Sequence, residues 1–205
     1  MALGDPYITV DDLKAWLGIP AVDTQDDDHL MAAVSAATRA IEQATGRIFS
    51  RADVASPRIY TPTTPSLVVV DDFYTDADLE VRTGTDGRTF PVVWSTADFM
   101  LEPPNWTVSG QYGWPSWRIV ARPLGSRRFT PEYPASVQVT ARWGWAEVPD
   151  PIRHATLLLA AELFKLRDAP FGVAGFGEYG VVRVRENPKI WALIKPYARF
   201  RYLVG

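Results

Sequence analysis

The chain has no cysteine. That excludes a disulfide scaffold, thiolate metal sites and cysteine nucleophiles, and it fits a reducing compartment. Histidine is nearly as scarce, with only His29 and His154, on separate predicted helices. A metal centre would have to recruit carboxylates. Three aspartates precede His29, but adjacent helical residues point in different directions, so capping and surface roles account for both histidines. Long hydrophobic runs are missing too. The most apolar stretch, Ala155 to Leu163, is about half of what a membrane span needs. The start of the chain has neither the basic region nor the apolar run of a targeting signal. These absences predict a protein made in the cytoplasm that stays soluble.

What is present is ordinary in bulk and uneven in detail. With 205 residues, 47% hydrophobic and 22% charged, the chain suits one large domain or two small ones and can bury a core without metal or disulfide. The net charge of −3 hides an asymmetry. Residues 1–46 carry eight acids against Lys14 and Arg39, a net of −6, whereas residues 151–205 carry nine bases against four acids, a net of +5. Opposite ends of this kind can pair within one fold, or between copies where the head of one subunit meets the tail of the next. They can also remain two solvated faces. Asp26, Asp27, Asp28 and Arg39 are the candidate subunit contacts.

Helical signals gather at the two ends. Thr9 and Asp12 form a capping-box pattern, after which Val10, Leu13, Trp16 and Leu17 share a face and Gly18 and Pro20 end the helix. Asp26, Asp27 and Asp28 sit where a helix dipole favours acids. Leu30, Val34, Ala37, Ile41 and Ala44 then follow at spacings of four and three, a stripe for burial against another helix. The opposite face is small (Ala32, Ala33, Ser35, Ala36, Ala40), which predicts packing on two sides. Gly46 is a ready C-cap. Asp150 as N-cap and Pro151 at the first helical position announce a third helix that is apolar almost all round. Asn187 and Pro188 repeat the signal before a short final helix cut by Pro196.

Between about Ser56 and Val148 helical periodicity is lost. Strand-like runs appear at Leu67–Val70, Leu79–Thr83, Thr89–Trp94, Trp117–Ala121 and Ser136–Trp143, the last alternating apolar and polar residues. Asp86-Gly87 marks a hairpin turn within Thr83–Arg88. Six of the eight tryptophans lie here (Trp94, Trp106, Trp114, Trp117, Trp143, Trp145). They serve a small core or an interface, or else stack on sugars or bases. The spacing thus predicts an α+β fold. A helical core of residues 7–47 and 149–200, with helices near 9–17, 27–45, 151–167 and 188–198, carries a β-rich insertion at 56–147, all within a single 205-residue subunit.

Catalytic patterns are thin. There is no G-x-S-x-G elbow. The carboxylate pairs Asp71–Asp72 and Asp76–Asp78 look like solvated loop acids. The glycines at 172, 175, 177 and 180 lack both the P-loop Lys-Ser/Thr and the dinucleotide G-x-G-x-x-G pattern. They alternate with Phe171, Phe176 and Tyr179, which suits partner contact by a mobile loop; it runs into a possible strand at Val181–Arg185. Arg118, Arg122, Arg127 and Arg128 cluster, yet the overall balance is acidic and no nucleic-acid motif stands out.

The ends of the chain resemble a known family. Tyr7-Ile8-Thr9-Val10-Asp11-Asp12-Leu13-Lys14, then Asp26-Asp27-Asp28-His29-Leu30 and Ile41-Glu42-Gln43-Ala44-Thr45-Gly46-Arg47, resemble the N-terminus of the head-to-tail connector (adaptor, or head completion) proteins of tailed bacteriophages. Trp143-Gly144-Trp145, Val148-Pro149-Asp150-Pro151-Ile152 and Ala155 to Ala160 resemble that family's strand-to-helix junction, and Pro196-Tyr197 fits its end. The β-rich middle departs from the smallest, nearly all-helical members. The resemblance implies a non-enzymatic virion protein without cofactor. It implies a homo-oligomeric ring, typically of twelve copies, below the portal at the head-tail interface. Such a ring extends the channel for passing genomic DNA, without sequence specificity or membrane contact, and offers a platform to a downstream stopper or tail-completion protein. By position, the segment from Phe171 onward would meet the portal, with Phe171, Phe176, Tyr179, Arg183, Arg185, Trp191, Tyr197 and Phe200 as candidates. The alternatives are another head-tail joining protein, a stopper or tail-completion piece, or a carbohydrate-binding module using the middle tryptophans.

Overall fold

The computed structural model describes residues 3–166, 184 and 187–199. They form an α+β fold with four described helices and several antiparallel sheets. The chain divides into two compact units. One comprises Met1–Gly4 and Ser50–Glu147; the other comprises Asp5–Phe49 and Val148–Gly205.

The first unit is built from nine strands: β1 (Ser56–Tyr60), β2 (Leu67–Phe73), β3 (Glu80–Thr83), β4 (Val92–Val93), β5 (Phe99–Glu102), β6 (Thr107–Val108), β7 (Gln111–Tyr112), β8 (Ser116–Ala121) and β9 (Val137–Ala141). One sheet runs β1-β9-β3-β4, a second β2-β8-β5, and β6-β7 is a separate hairpin. Alternation decides what is inside. Val137, Val139 and Ala141 of β9 are buried while Gln138 and Thr140 face outward, as the period of two requires. Val68 and Val70 of β2, Phe99 of β5 and Ile119 and Ala121 of β8 join them in one hydrophobic cluster with Val81, Trp94, Phe129 and Trp143. A register irregularity between Val69 and Phe73 lets Asp72 and Phe73 both turn inward.

The strands differ from the sequence expectation at several points. The run expected at Thr89–Trp94 shrinks to two residues because Pro91 has no N–H for a ladder and Asp86 ties up the residues before it. The Asp86 carboxylate accepts bonds from the Arg88 and Thr89 amides and the Thr89 hydroxyl, and Gly87 takes the left-handed φ of +67°. Ser56–Tyr60, with Pro57 in it, is a strand outside the expected runs. It is an edge strand, where proline is tolerated. Asp71 and Asp72 are not loop acids. They lie in β2, with Asp71 paired to Arg58 at 2.6 Å and Asp72 buried.

The second unit contains α1 (Val10–Leu17), α2 (Asp27–Thr45), α3 (Asp150–Leu166) and α4 (Pro188–Ile194). The capping box of α1 is formed in both directions, Asp12 N–H to Thr9 Oγ1 and Thr9 N–H to Asp12 Oδ2. These bonds hold the Asp12 carboxyl below its usual range, the Thr9 amide contributing most. Leu30, Val34, Ala37, Ile41 and Ala44 of α2 are all buried. α2 packs on α3, α1 on both, and α4 on α3. The small face of α2 is only half covered: Ala33 and Ala40 are buried, Ala32 and Ser35 exposed. On α1 the expected apolar face is corrected. Trp16 is 50% exposed, and Lys14 is buried in its place. α3 begins at Asp150 itself, with the Pro149 carbonyl accepting from Ile152 and Arg153. Asn187 caps α4 through the amides of Lys189 and Ile190 and donates to Glu162 of α3 at 2.8 Å. Beyond Ile194 the helix tightens into a 3-10 turn, Lys195–Tyr197, where Pro196 supplies no N–H. No described helix is long and apolar enough to cross a membrane.

Candidate interaction surfaces

Four local arrangements fix what the chain presents to a partner. The first is a latch at the start of the helical unit. Tyr7 is buried, its ring edge-on to Phe49 with centroids 5.8 Å apart. Its hydroxyl donates to Glu42 Oε1 at 2.8 Å and accepts from the Phe49 amide at 2.8 Å. Burial, then the Glu42 charge, pushes this hydroxyl well above the ordinary tyrosine range. Glu42 is also ion-paired with Arg39, so that expected subunit contact is engaged within its own helix. Nearby, Arg47 Nε donates to the Tyr197 carbonyl at 2.7 Å and the Arg199 amide to the Thr45 carbonyl at 2.8 Å. Tyr197, a candidate portal contact, is 8% exposed and edge-on to Phe49. It is part of the core rather than the surface.

The second is the turn between α1 and α2. Lys14 is buried because its ammonium has two partners, the Asp27 carboxylate and the Ala21 carbonyl. The turn is pinned further by the Ile19 amide on the Lys14 carbonyl and the Asp27 amide on the Thr24 carbonyl. With Lys14 internal, the turn and the first residues of α2 are acidic and partly apolar at the surface: Asp23 and Val22 (89%) are exposed in the turn, Asp28 and Met31 (57%) in α2. Of the three consecutive aspartates, Asp27 is thus an internal partner, Asp28 faces outward and Asp26 is half-buried.

The third is the tryptophan set. Trp94, Trp114, Trp143 and Trp145 are buried. Three of their indole donors are spent internally: Trp94 on Thr83 Oγ1, Trp143 on the Ser56 carbonyl and Trp145 on Asp72. Trp94 stacks on Phe129 at 4.4 Å, and Trp114 lies against Trp145. Trp106 and Trp117 are half-buried. Sugar stacking needs a free ring face and free polar neighbours. Of the roles the sequence left open for these rings, filling a small core is the one the four buried tryptophans take, because nine short strands need large rings to fill the space between them.

The fourth is the loop from Arg122 to Arg128. The Gly125 amide bonds to the Arg122 carbonyl, closing a turn with Pro123 at its second position. Arg128 folds back over it: Nη1 reaches the carbonyls of Arg122, Gly125 and Arg127 at 3.2, 2.8 and 2.6 Å, and Nη2 that of Pro123 at 2.7 Å. Both feet are anchored, one by the Arg122 amide on the Asp98 carbonyl, the other by the Phe129 amide on the Pro65 carbonyl. Leu124 is left fully exposed at the tip, between exposed Arg122 and Arg127. The arginine cluster seen in the sequence is therefore three different things. Arg118 is paired with Glu102 at 3.0 Å, Arg128 is structural, and Arg122 and Arg127 are presented. Pro-Leu-Gly between arginines was the available signal for this tip.

Among the other candidate contacts, Trp191 is half-buried on α4. Phe171, Phe176, Tyr179, Arg183, Arg185 and Phe200 lie outside the described residues. So does the strand expected at Val181–Arg185, apart from Val184, which is helical and buried. Among the described residues no cluster of three His, Asp or Glu is placed to hold a metal ion.

What the described surface offers is pinned turns carrying charge and exposed apolar groups. Residues 7–76 match the family described as Phage gp6-like head-tail connector protein. The match begins at Tyr7 of the latch, runs through α1 and α2, and ends just past β2, so the resemblance to phage head-tail connectors holds over that stretch. A chain from the neck of an empty GTA particle, computed with C6 symmetry, shares the fold with a TM-score of 0.57 and 21% sequence identity. The alignment covers 97% of this chain and 93% of that one. No curated protein matches.

Proposed function

We propose that this protein is the head-to-tail connector (adaptor) of a tailed phage or phage-like particle. It is a structural virion component with no catalytic role. The observation that carries the reading is the connector-family match over residues 7–76, joined to a whole-chain fold shared with a particle-neck protein. In this reading residues 7–47 and 149–200 are the ring-forming helical core, and residues 56–147 are an elaboration of it. Copies form a ring below the portal at the head-tail interface, extend the DNA channel and provide the platform for a stopper or tail-completion protein. Twelve copies, the expected number, are a multiple of the six-fold symmetry reported for the neck particle. The segment from Phe171 onward meets the portal, with Phe171, Phe176, Tyr179, Arg183, Arg185, Trp191 and Phe200 as contacts and Tyr197 holding that segment to the core. DNA passes through the ring without sequence-specific contact.

The test mixes the purified chain with portal and examines the product by electron microscopy, alongside particles that lack the gene. The expected result is a ring on the portal, and DNA-filled heads that leak and carry no tails when the gene is absent. A chain that neither binds portal nor changes the particles when deleted overturns the reading.

A further inference from the structure

We infer that successive copies join through the Arg122–Arg128 loop, which seats Leu124 on the acidic turn between α1 and α2 of the neighbouring copy. The inference rests on the ring reading and names the contact within it.

The donor side is a built tip rather than a stray exposed leucine. Four backbone carbonyls converge on the Arg128 guanidinium, so the loop's shape is set before any partner arrives and little conformational entropy remains to be lost on docking. A fully exposed Leu124 is a group that water penalises and a partner rewards. Arg122 and Arg127 beside it form no ion pair with any described residue, so the tip brings two positive charges with one apolar knob.

The receptor side has the inverse make-up. Val22 in the turn and Met31 in the first turns of α2 are exposed apolar groups, and the exposed acids Asp23 and Asp28 lie beside them in the sequence. The one lysine of the region, Lys14, is turned inward to Asp27 and neutralises nothing outside. The Lys14 contacts and the backbone bonds of Ile19 and Asp27 pin this turn as well. An apolar knob between two cations matches exposed apolar groups accompanied by two anions in both chemistry and sign. A contact between two different surfaces is heterologous. Repeated, it closes a ring when the rotation allows.

A chain with no cysteine gives a clean test. Leu124→Cys and Val22→Cys variants are prepared separately, mixed under ring-forming conditions and mildly oxidised. Tyr112→Cys, at a residue 85% exposed in the β6–β7 hairpin, replaces Leu124→Cys as the control. The expected product is a disulfide-linked pair at about twice the 22.8 kDa chain mass, formed from the Leu124→Cys and Val22→Cys mixture and not from the control, with a yield that falls as salt rises. In parallel, the Arg122→Glu/Arg127→Glu protein should lose the ring, and mixing it with Asp23→Lys/Asp28→Lys protein should restore alternating assemblies. If the unsubstituted chain forms a ring but the Leu124→Cys and Val22→Cys mixture links no better than the control, this contact is wrong and the connector reading stands. If the unsubstituted chain forms no ring even with portal, the connector reading fails and the contact falls with it.

Discussion

Replacing Tyr7 by Phe removes one oxygen atom and tests the latch of the helical unit. The ring and its edge-on packing against Phe49 stay. What is lost is a donor to Glu42 and an acceptor for the Phe49 amide, each at 2.8 Å. Phe49 is fully buried, so losing the Tyr7 oxygen as acceptor for its N–H costs about 1–3 kcal/mol. The bond to an ionised carboxylate is worth about 1.5–3 kcal/mol. Glu42 keeps Arg39 and is 12% exposed, so the lower end applies to that bond. Against these losses, a hydroxyl no longer has to be desolvated on folding, a gain of about 1–2 kcal/mol. The net is a destabilisation of about 2 kcal/mol, or a fall in melting temperature of about 8–16 °C for a unit of roughly 100 residues. Urea unfolding followed by far-UV circular dichroism, which reports the helices, measures it directly. The reasoning also predicts coupling, so that Tyr7→Phe costs clearly less in a Glu42→Ala background. A loss below about 0.5 kcal/mol, or strict additivity with Glu42→Ala, would refute the latch as described.

Two further outcomes follow from the β unit. Gly144 sits at φ +99°, and a Cβ there would lie 1.9 Å from the Ser50 carbonyl oxygen; Gly144→Ala should therefore cost more than about 4 kcal/mol and leave the β unit unfolded, read as loss of the near-ultraviolet signal of its tryptophans. Asp86 is held down at about 2 by the Thr89 hydroxyl and the Thr89 and Arg88 amides, against an ordinary 3.8. Its contribution to the turn is present above the ordinary value and is lost as pH falls through about 2, so a carboxyl NMR titration should place its midpoint clearly below 3.8, and an ordinary midpoint would overturn the capped-turn geometry.

How much of this could be read in the chain depends on whether the deciding physics was local. Thr9 with Asp12, the four-three spacing from Leu30 to Ala44 and Asn187 before Pro188 each act within one helix turn, and each stands in the structure as the sequence implied. Lys14 did not reveal its burial, since that depends on a carboxylate thirteen positions away and on a carbonyl at Ala21. Trp16 took the outward place for the same reason. In the β unit the partners are farther apart still. β1 pairs with β9 across some eighty residues, so nothing local to Ser56–Tyr60 could announce an edge strand. Of the surfaces, the acidic turn was visible as composition, whereas the Leu124 tip depended on where Arg128 sends its guanidinium.

The stem of the β unit has a consequence of its own. The Ala52 amide bonds to the Trp143 carbonyl, Arg51 bridges to Gly144, and the Trp145 amide reaches the Ser50 carbonyl. The chain is therefore stapled to itself at the point where the strands begin and end. Everything beyond that staple is a closed excursion. Its length changes the entropy of joining the two flanking segments only logarithmically. Strands can be added to or trimmed from the far side of such a staple at small thermodynamic cost to the residues outside it. A segment closed in this way is free to vary in length while the helices on either side of it in the sequence keep their pattern.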